Sequence, residues 1–136
     1  MRDDLERLSR LLREGRCCAV ALAQLGLELS NSENEQLLNA MSGLCGGVQG
    51  GLLCGALTGA ACMVNLLAPE DANARMVPEL TQWFIRTMGE RYGGTDCRDI
   101  LGGEPLNKKA RCPAVIEDTY LQAMAILERN GLELDR

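Results

Sequence analysis

At 136 residues with a formal net charge of −5, the chain fits one domain and lacks the clustered positive surface that nucleic-acid phosphates require. Aromatic residues make up only 3%, so Leu, Ala, Met and Cys must fill the core, which favours packed helices over a β-sandwich. Seven cysteines and no histidine exclude His-ligated zinc or haem and Cys–His or Ser–His nucleophilic catalysis.

Leu5, Leu8 and Leu12 recur at helical spacing and predict a first helix, which Gly15 kinks or separates from a second. The second runs from Cys17-Cys18-Ala19 to about Gly26. Ser30-Asn31-Ser32 reads as a loop and N-cap, with Glu33 and Glu35 suited to the positive end of a third helix through Leu37, Leu38 and Met41. The segment from Gly43 to Gly51 is a break that feeds a helix of unusually small residues. Gly47, Gly51, Gly55 and Gly59 lie four apart and so drift slowly around one helical face. Each glycine costs up to about 1 kcal/mol relative to alanine in a helix interior. Close approach of another helix, or of a cofactor at Gly51, Gly55 and Gly59, would offset that cost.

The apolar stretch from Val48 to Ala68 has the length of a membrane span, but Gln49, Thr58, Asn65 and the glycines interrupt it. A buried central helix fits it better, and no membrane insertion is expected. Pro69-Glu70-Asp71 starts the next helical run, in which Met76, Leu80, Phe84 and Met88 form a core stripe, Pro78 is a kink and Gly93-Gly94 a stop. Thr95 to Leu101 predicts a short helical turn. Lys108, Lys109 and Arg111 read as a solvated loop, and a last helix runs from Pro113 to a stop at Gly131. Glu33, Glu35, Glu117 and Asp118 read as caps and solvated faces. The fold expected is all-α, a single helical bundle over residues 1–136 around the glycine-rich helix.

No two cysteines form C-x-x-C, which removes the thioredoxin motif, the usual zinc ribbon and the usual ferredoxin runs. An all-cysteine site built from dispersed positions remains. Cys97 follows the helix-start pair Thr95-Asp96, Cys112 precedes Pro113 at an expected N-cap, and Cys54 lies near a helix start. Sulfur at a helix N-terminus meets unpaired N–H groups and the positive dipole end, which lower its pKa. Cys45 and Cys62 sit among small apolar residues and read as buried structural thiols. The start Met1-Arg2-Asp3-Asp4-Leu5 lacks the basic-then-apolar order of a signal peptide. The expected location is therefore the cytoplasm, where lasting disulfides are not expected.

The order of these pieces resembles a family. Cys17-Cys18-Ala19-Val20-Ala21 is followed by the glycine-rich run Gly46 to Leu53 and by Cys54-Gly55-Ala56-Leu57-Thr58-Gly59. Cys97-Arg98-Asp99-Ile100-Leu101-Gly102 and Arg111-Cys112-Pro113 complete it. The whole resembles the redox-active proteins named for the pattern C_GCAxxG_C_C, although this chain reads Cys54-Gly55-Ala56 where that name spells G-C-A. The resemblance implies redox activity through Cys54, Cys97, Cys112 and one of Cys17 and Cys18. Spacing to the following apolar residues favours Cys17, which completes the expected metal-ligand set, and the stripe through Leu8, Leu12, Ala19 and Leu22 favours Cys18. A related module is similar to the iron–sulfur part of split-Soret cytochrome c.

Three functions follow as expectations. The first is electron transfer through a bound iron–sulfur cluster of the 2Fe–2S type, as an oxidoreductase or electron carrier with a redox partner protein. The second is a metal-free thiol–disulfide protein, and the third an all-cysteine zinc or interaction module. The oligomeric state, homodimer included, stays open.

Overall fold

The computed structural model describes residues 3–133. Among them are seven α-helices and no strand: α1 (Asp3–Arg13), α2 (Cys18–Leu29), α3 (Glu35–Met41), α4 (Gly55–Leu67), α5 (Val77–Tyr92), α6 (Cys97–Leu101) and α7 (Asn107–Arg129). The all-α bundle expected from composition is the observed fold. No helix among the described residues is long and apolar enough to cross a membrane.

The bundle is organised around α2 and α4. Both are made mostly of small and aliphatic residues, and both are buried over most of their length. Their contact is close because glycine replaces side chains on the facing surfaces. A β-carbon on Gly59 would lie 2.9 Å from the Ala19 Cα, and one on Gly26 would lie 3.0 Å from the Met63 side chain. Gly55 faces Cys18 and Ala19 in the same way. Residues early in α4 thus meet residues early in α2, and late residues meet late ones. The two helices run parallel, and their positive dipole ends lie at the same end of the molecule.

Around this pair, Leu8 and Leu11 of α1, Leu80, Phe84 and Met88 of α5, and Val115, Ile116, Tyr120 and Met124 of α7 close the main core. A smaller cluster packs Leu38 and Met41 of α3 against the outer face of α2. Between α1 and α7, the buried Tyr120 hydroxyl donates to the Asp4 carboxylate, which is also buried. At the surface, Arg7 of α1 makes two bonds of 2.8 Å to Glu28 of α2.

Several boundaries differ from the sequence expectation. Helix α2 continues past Gly26 to Leu29, because Gly26 faces α4 rather than ending the helix. The cap of α3 is Asn34, whose side chain accepts from the Leu37 N–H at 2.9 Å, not the Ser30–Ser32 segment. Pro78 lies in the first turn of α5, where a missing N–H is tolerated, directly after the π-helical turn Ala72–Met76.

Helix α7 begins at Asn107, six residues before Pro113. Its extra turns are tied to α6. The Asn107 side chain donates to the Leu101 carbonyl at 2.8 Å, and Arg111 donates to the Ile100 carbonyl at 2.7 Å. These carbonyls end α6 and have no helical partner of their own. Tertiary hydrogen bonds therefore hold a helical segment upstream of the proline. The basic island is part of this helix, not a loop.

The glycine row is also redistributed. Only Gly55 and Gly59 belong to α4. Gly47 and Gly51 lie in a wide turn, Gly47–Gly51, that follows a 3-10 turn at Ser42–Leu44. Gly46, Gly47, Val48 and Gln49 take successive positive φ values of 63°, 66°, 57° and 58°, a short left-handed helical stretch. A bond of 2.9 Å from the Leu52 N–H to the Gly47 carbonyl closes it. A side chain at Gly47 would strike the Leu52 backbone at 2.3 Å, so only glycine fits there. Val48 and Gln49 carry side chains in this conformation at a cost of about 1–2 kcal/mol each.

Candidate functional site

The shared end of α2 and α4 carries the cysteines. Cys18 is the first residue of α2, and Cys54 is the N-cap of α4. Cys97 is the first residue of α6, whose N-cap is Asp96 in a capping box with Asp99. Two backbone bonds hold α6 against the strand-like segment ahead of α4. The Cys97 N–H donates to the Leu52 carbonyl at 2.7 Å, and the Cys54 N–H donates to the Thr95 carbonyl at 3.2 Å. Cys112 approaches from the side of α7.

These four are free thiols lining one cavity of about 530 Å³. Leu12, Ile100, Val115 and Ile116 supply apolar wall, and Lys108 supplies a positive charge. Cys54 is buried, whereas Cys18, Cys97 and Cys112 are half-buried.

Hydrogen bonding divides the sulfurs. Cys54 pairs with the sulfurs of Cys18 and Cys97, and this pairing, with burial, drives its own pKa far upward. Cys97 is lowered to about 7, first by the Cys54 bond, then by Lys108 and the Gly55 N–H, against the opposing effect of burial. Cys18 is lowered by the same partner and by the first N–H groups of α2. Cys112 is raised to about 11 by burial and by the negative sulfurs of Cys18 and Cys97.

Of the three sulfurs expected to be lowered by helix starts only Cys97 is lowered, and chiefly by Cys54 rather than by the N-terminus of α6. Cys54 stands at an N-cap and is raised, because its pairing with Cys18 and Cys97 outweighs the bond it receives from the Ala56 N–H. Cys112 stands within α7, not at its N-cap, so its own helix offers it no unpaired N–H groups.

Of the pair left open by the sequence, Cys18 joins the free thiols. Cys17 is bonded to Cys45 in a disulfide with Cα atoms 5.9 Å apart, so it is no thiolate ligand. That bond corrects two expectations, a reduced set of seven thiols and a buried structural Cys45. Cys62 is half-buried in α4, and burial raises its pKa.

Of the three glycines, Gly51 lines the cavity, whereas Gly55 and Gly59 face α2 behind it. Lys108 was missed as a site residue. Its spacing of four from Cys112 is the signal, visible once α7 is known to start at Asn107.

Among the described residues no three His, Cys, Asp or Glu side chains gather around a point that would hold a single metal ion. The four sulfurs are instead distributed around a cavity.

Comparison with known families finds a match over most of the chain. The family described as "Putative redox-active protein (C_GCAxxG_C_C)" matches residues 16–126, a span containing all seven cysteines. No curated protein and no solved structure matches the chain.

Proposed function

The chain belongs to the C_GCAxxG_C_C family of redox-active proteins, and on that premise we propose that it transfers electrons through an iron–sulfur cluster held by Cys18, Cys54, Cys97 and Cys112. The observation that carries this reading is the convergence of these four free thiols on one largely apolar cavity. The donor type suits the group. Four cysteine sulfurs are the usual ligands of such clusters, and N–H groups aimed at the sulfurs tune their potential. Here Gly55, Ala56 and Ala19 supply such N–H groups. Lys108 offsets negative charge near Cys97 and Cys112. A bound cluster would supply one-electron transfer to a partner protein. The chain's own part is to hold four thiolates together, exclude water with Leu12, Val115 and Ile116, and compensate charge.

Protein purified without oxygen, or reconstituted with iron and sulfide, is expected to carry about two iron and two sulfide per chain and a visible absorption bleached by reduction. Cys54→Ser should diminish both. Colourless, iron-free protein after reconstitution refutes the cluster.

A second reading rests on the contact between Cys54 and Cys97. The Cys97 thiolate, with a pKa of about 7, would attack one sulfur of a partner's disulfide and release a partner thiolate. Cys54 would pass its proton to the released partner thiolate and attack the Cys97 sulfur of that mixed disulfide. The second partner thiolate leaves, and a Cys54–Cys97 disulfide remains. The partner's disulfide is reduced by two electrons. Reversible loss of two thiols, with the bridge mapped to Cys54 and Cys97 by mass spectrometry, distinguishes this reading from the first.

A further inference from the structure

The Cys17–Cys45 disulfide lies outside the four-thiol group but holds one wall of its cavity. Cys17 is the N-cap of α2 and immediately precedes Cys18. Cys45 immediately precedes the left-handed stretch from Gly46 to Gln49. Gly46 and Gly51, on either side of the turn, both line the cavity, as does Cys17 itself. Beyond the turn, Leu52 accepts the Cys97 N–H, and two residues later the chain reaches Cys54. The disulfide is thus the covalent link between the start of α2 and the segment that positions both Cys54 and Cys97.

Besides the disulfide and the backbone bonds around Leu52 and Cys54, that segment has few anchors. Val48 and Leu52 leave about half of their surfaces exposed, at 53% and 47%. Val48 and Gln49 occupy a backbone region that residues with side chains avoid. Its other side-chain bond runs from Gln49 to the Ser42 carbonyl at 3.2 Å, at the surface. Both sulfurs of the disulfide belong to half-buried residues, so a reductant has a path to them.

We propose that Cys17–Cys45 is a reducible clasp on the cavity, whose substrate is a dithiol reductant. One thiolate of the dithiol attacks a sulfur of the Cys17–Cys45 bond, and the other cysteine leaves as a thiolate and takes a proton. The second thiol of the reductant then attacks the mixed disulfide. The reductant leaves as a cyclic disulfide, and Cys17 and Cys45 are both thiols. Released from α2, the Gly46–Leu53 segment swings away and opens the cavity to its thiols. Whether those thiols hold a cluster or form disulfides does not enter this inference.

The test compares the whole chain with the disulfide intact, after reduction by a dithiol and removal of the reductant, and as Cys45→Ser. Hydrogen exchange is read by mass spectrometry. Reduction and Cys45→Ser should each speed exchange at the Leu52, Cys54 and Cys97 amides by about tenfold or more, with α5 and the second half of α7 unchanged. Alkylation of Cys54 should accelerate in parallel, and reoxidation should reverse both effects. Unchanged exchange at those three amides overturns the proposal. So does faster exchange throughout α5 and α7, which would make the disulfide a support of the whole fold. Absence of the Cys17–Cys45 bond in air-equilibrated protein also overturns it. Iron content is not read, so failure here is distinct from failure of the cluster.

Discussion

The β-carbon that Gly55 lacks would lie 2.6 Å from the sulfur of Cys18. The tightest point of the α2–α4 contact therefore lies directly behind a sulfur that lines the site. Glycine here leaves room for a sulfur, whereas Gly59, one turn on, leaves room for a helix backbone.

Alanine at the two positions should have different effects. At Gly59 the added carbon meets the Ala19 Cα and carbonyl oxygen at 2.9 Å, atoms that cannot rotate away. Overpacking of about 1–3 kcal/mol should exceed alanine's helix-propensity gain of about 1 kcal/mol. Gly59→Ala is thus expected to lower the urea midpoint. Gly55→Ala should lower it less, since the Cys18 sulfur can turn, but should reduce the iron retained after reconstitution. Equal midpoints for Gly59→Ala and the parent chain would show that α2 and α4 separate at little cost.

Cys97 should be the fastest-alkylating thiol of cluster-free protein near neutrality. Its rate should follow a titration centred at about 7. Cys54→Ala removes the largest cause of that lowering and should move the midpoint up the most, and Lys108→Gln should move it up less. The same shift has a stability consequence. A thiol held below its ordinary pKa favours the native state above that ordinary value, and the contribution is lost as pH falls through about 7. A Cys97 midpoint at the ordinary thiol value would remove the Cys54–Cys97 bond from the account.

Cys112 and Cys62 form a matched pair of half-buried cysteines with raised pKa values, one at the cavity and one away from it. Cys112→Ser should reduce iron, sulfide and visible absorption after reconstitution. Cys62→Ser should leave all three near the parent level. The reverse result would place the ligand set elsewhere.

Tyr120→Phe is expected to destabilise the fold by about 1–3 kcal/mol in urea denaturation, because it takes a donor from the buried Asp4 carboxylate. A loss below that range would mean that water replaces the hydroxyl without difficulty.

Much of this was legible in the chain because local chemistry and tertiary placement agreed. Leu8, Phe84 and Met88 mark core faces by spacing alone and are buried. Cys97 follows a capping aspartate and begins a helix as that pattern implies. The failures share a cause. Periodicity cannot show that Gly51 and Gly55 lie on opposite sides of a helix start, since the left-handed turn before it leaves no repeat. A proline reads as a helix beginning, but the bonds from Asn107 and Arg111 to α6 are tertiary and extend α7 upstream. The Cys17–Cys45 pairing spans 28 residues with no spacing rule to announce it. The Asp4–Tyr120 pair, 116 positions apart, was equally hidden.

The distribution of the four thiols along the chain has a consequence for synthesis. At about 5–20 residues per second, roughly 5–20 s separate the translation of Cys18 from that of Cys112. Before Cys97 emerges, Cys17, Cys18, Cys45, Cys54 and Cys62 have all been made while the sulfurs that complete the cavity have not. An oxidant meeting the nascent chain then has five cysteines to pair; any pairing that takes Cys18 or Cys54 removes a sulfur from the finished site, and Cys17–Cys45 takes neither. The order of translation thus makes early pairing a checkpoint on whether the completed protein can assemble its centre.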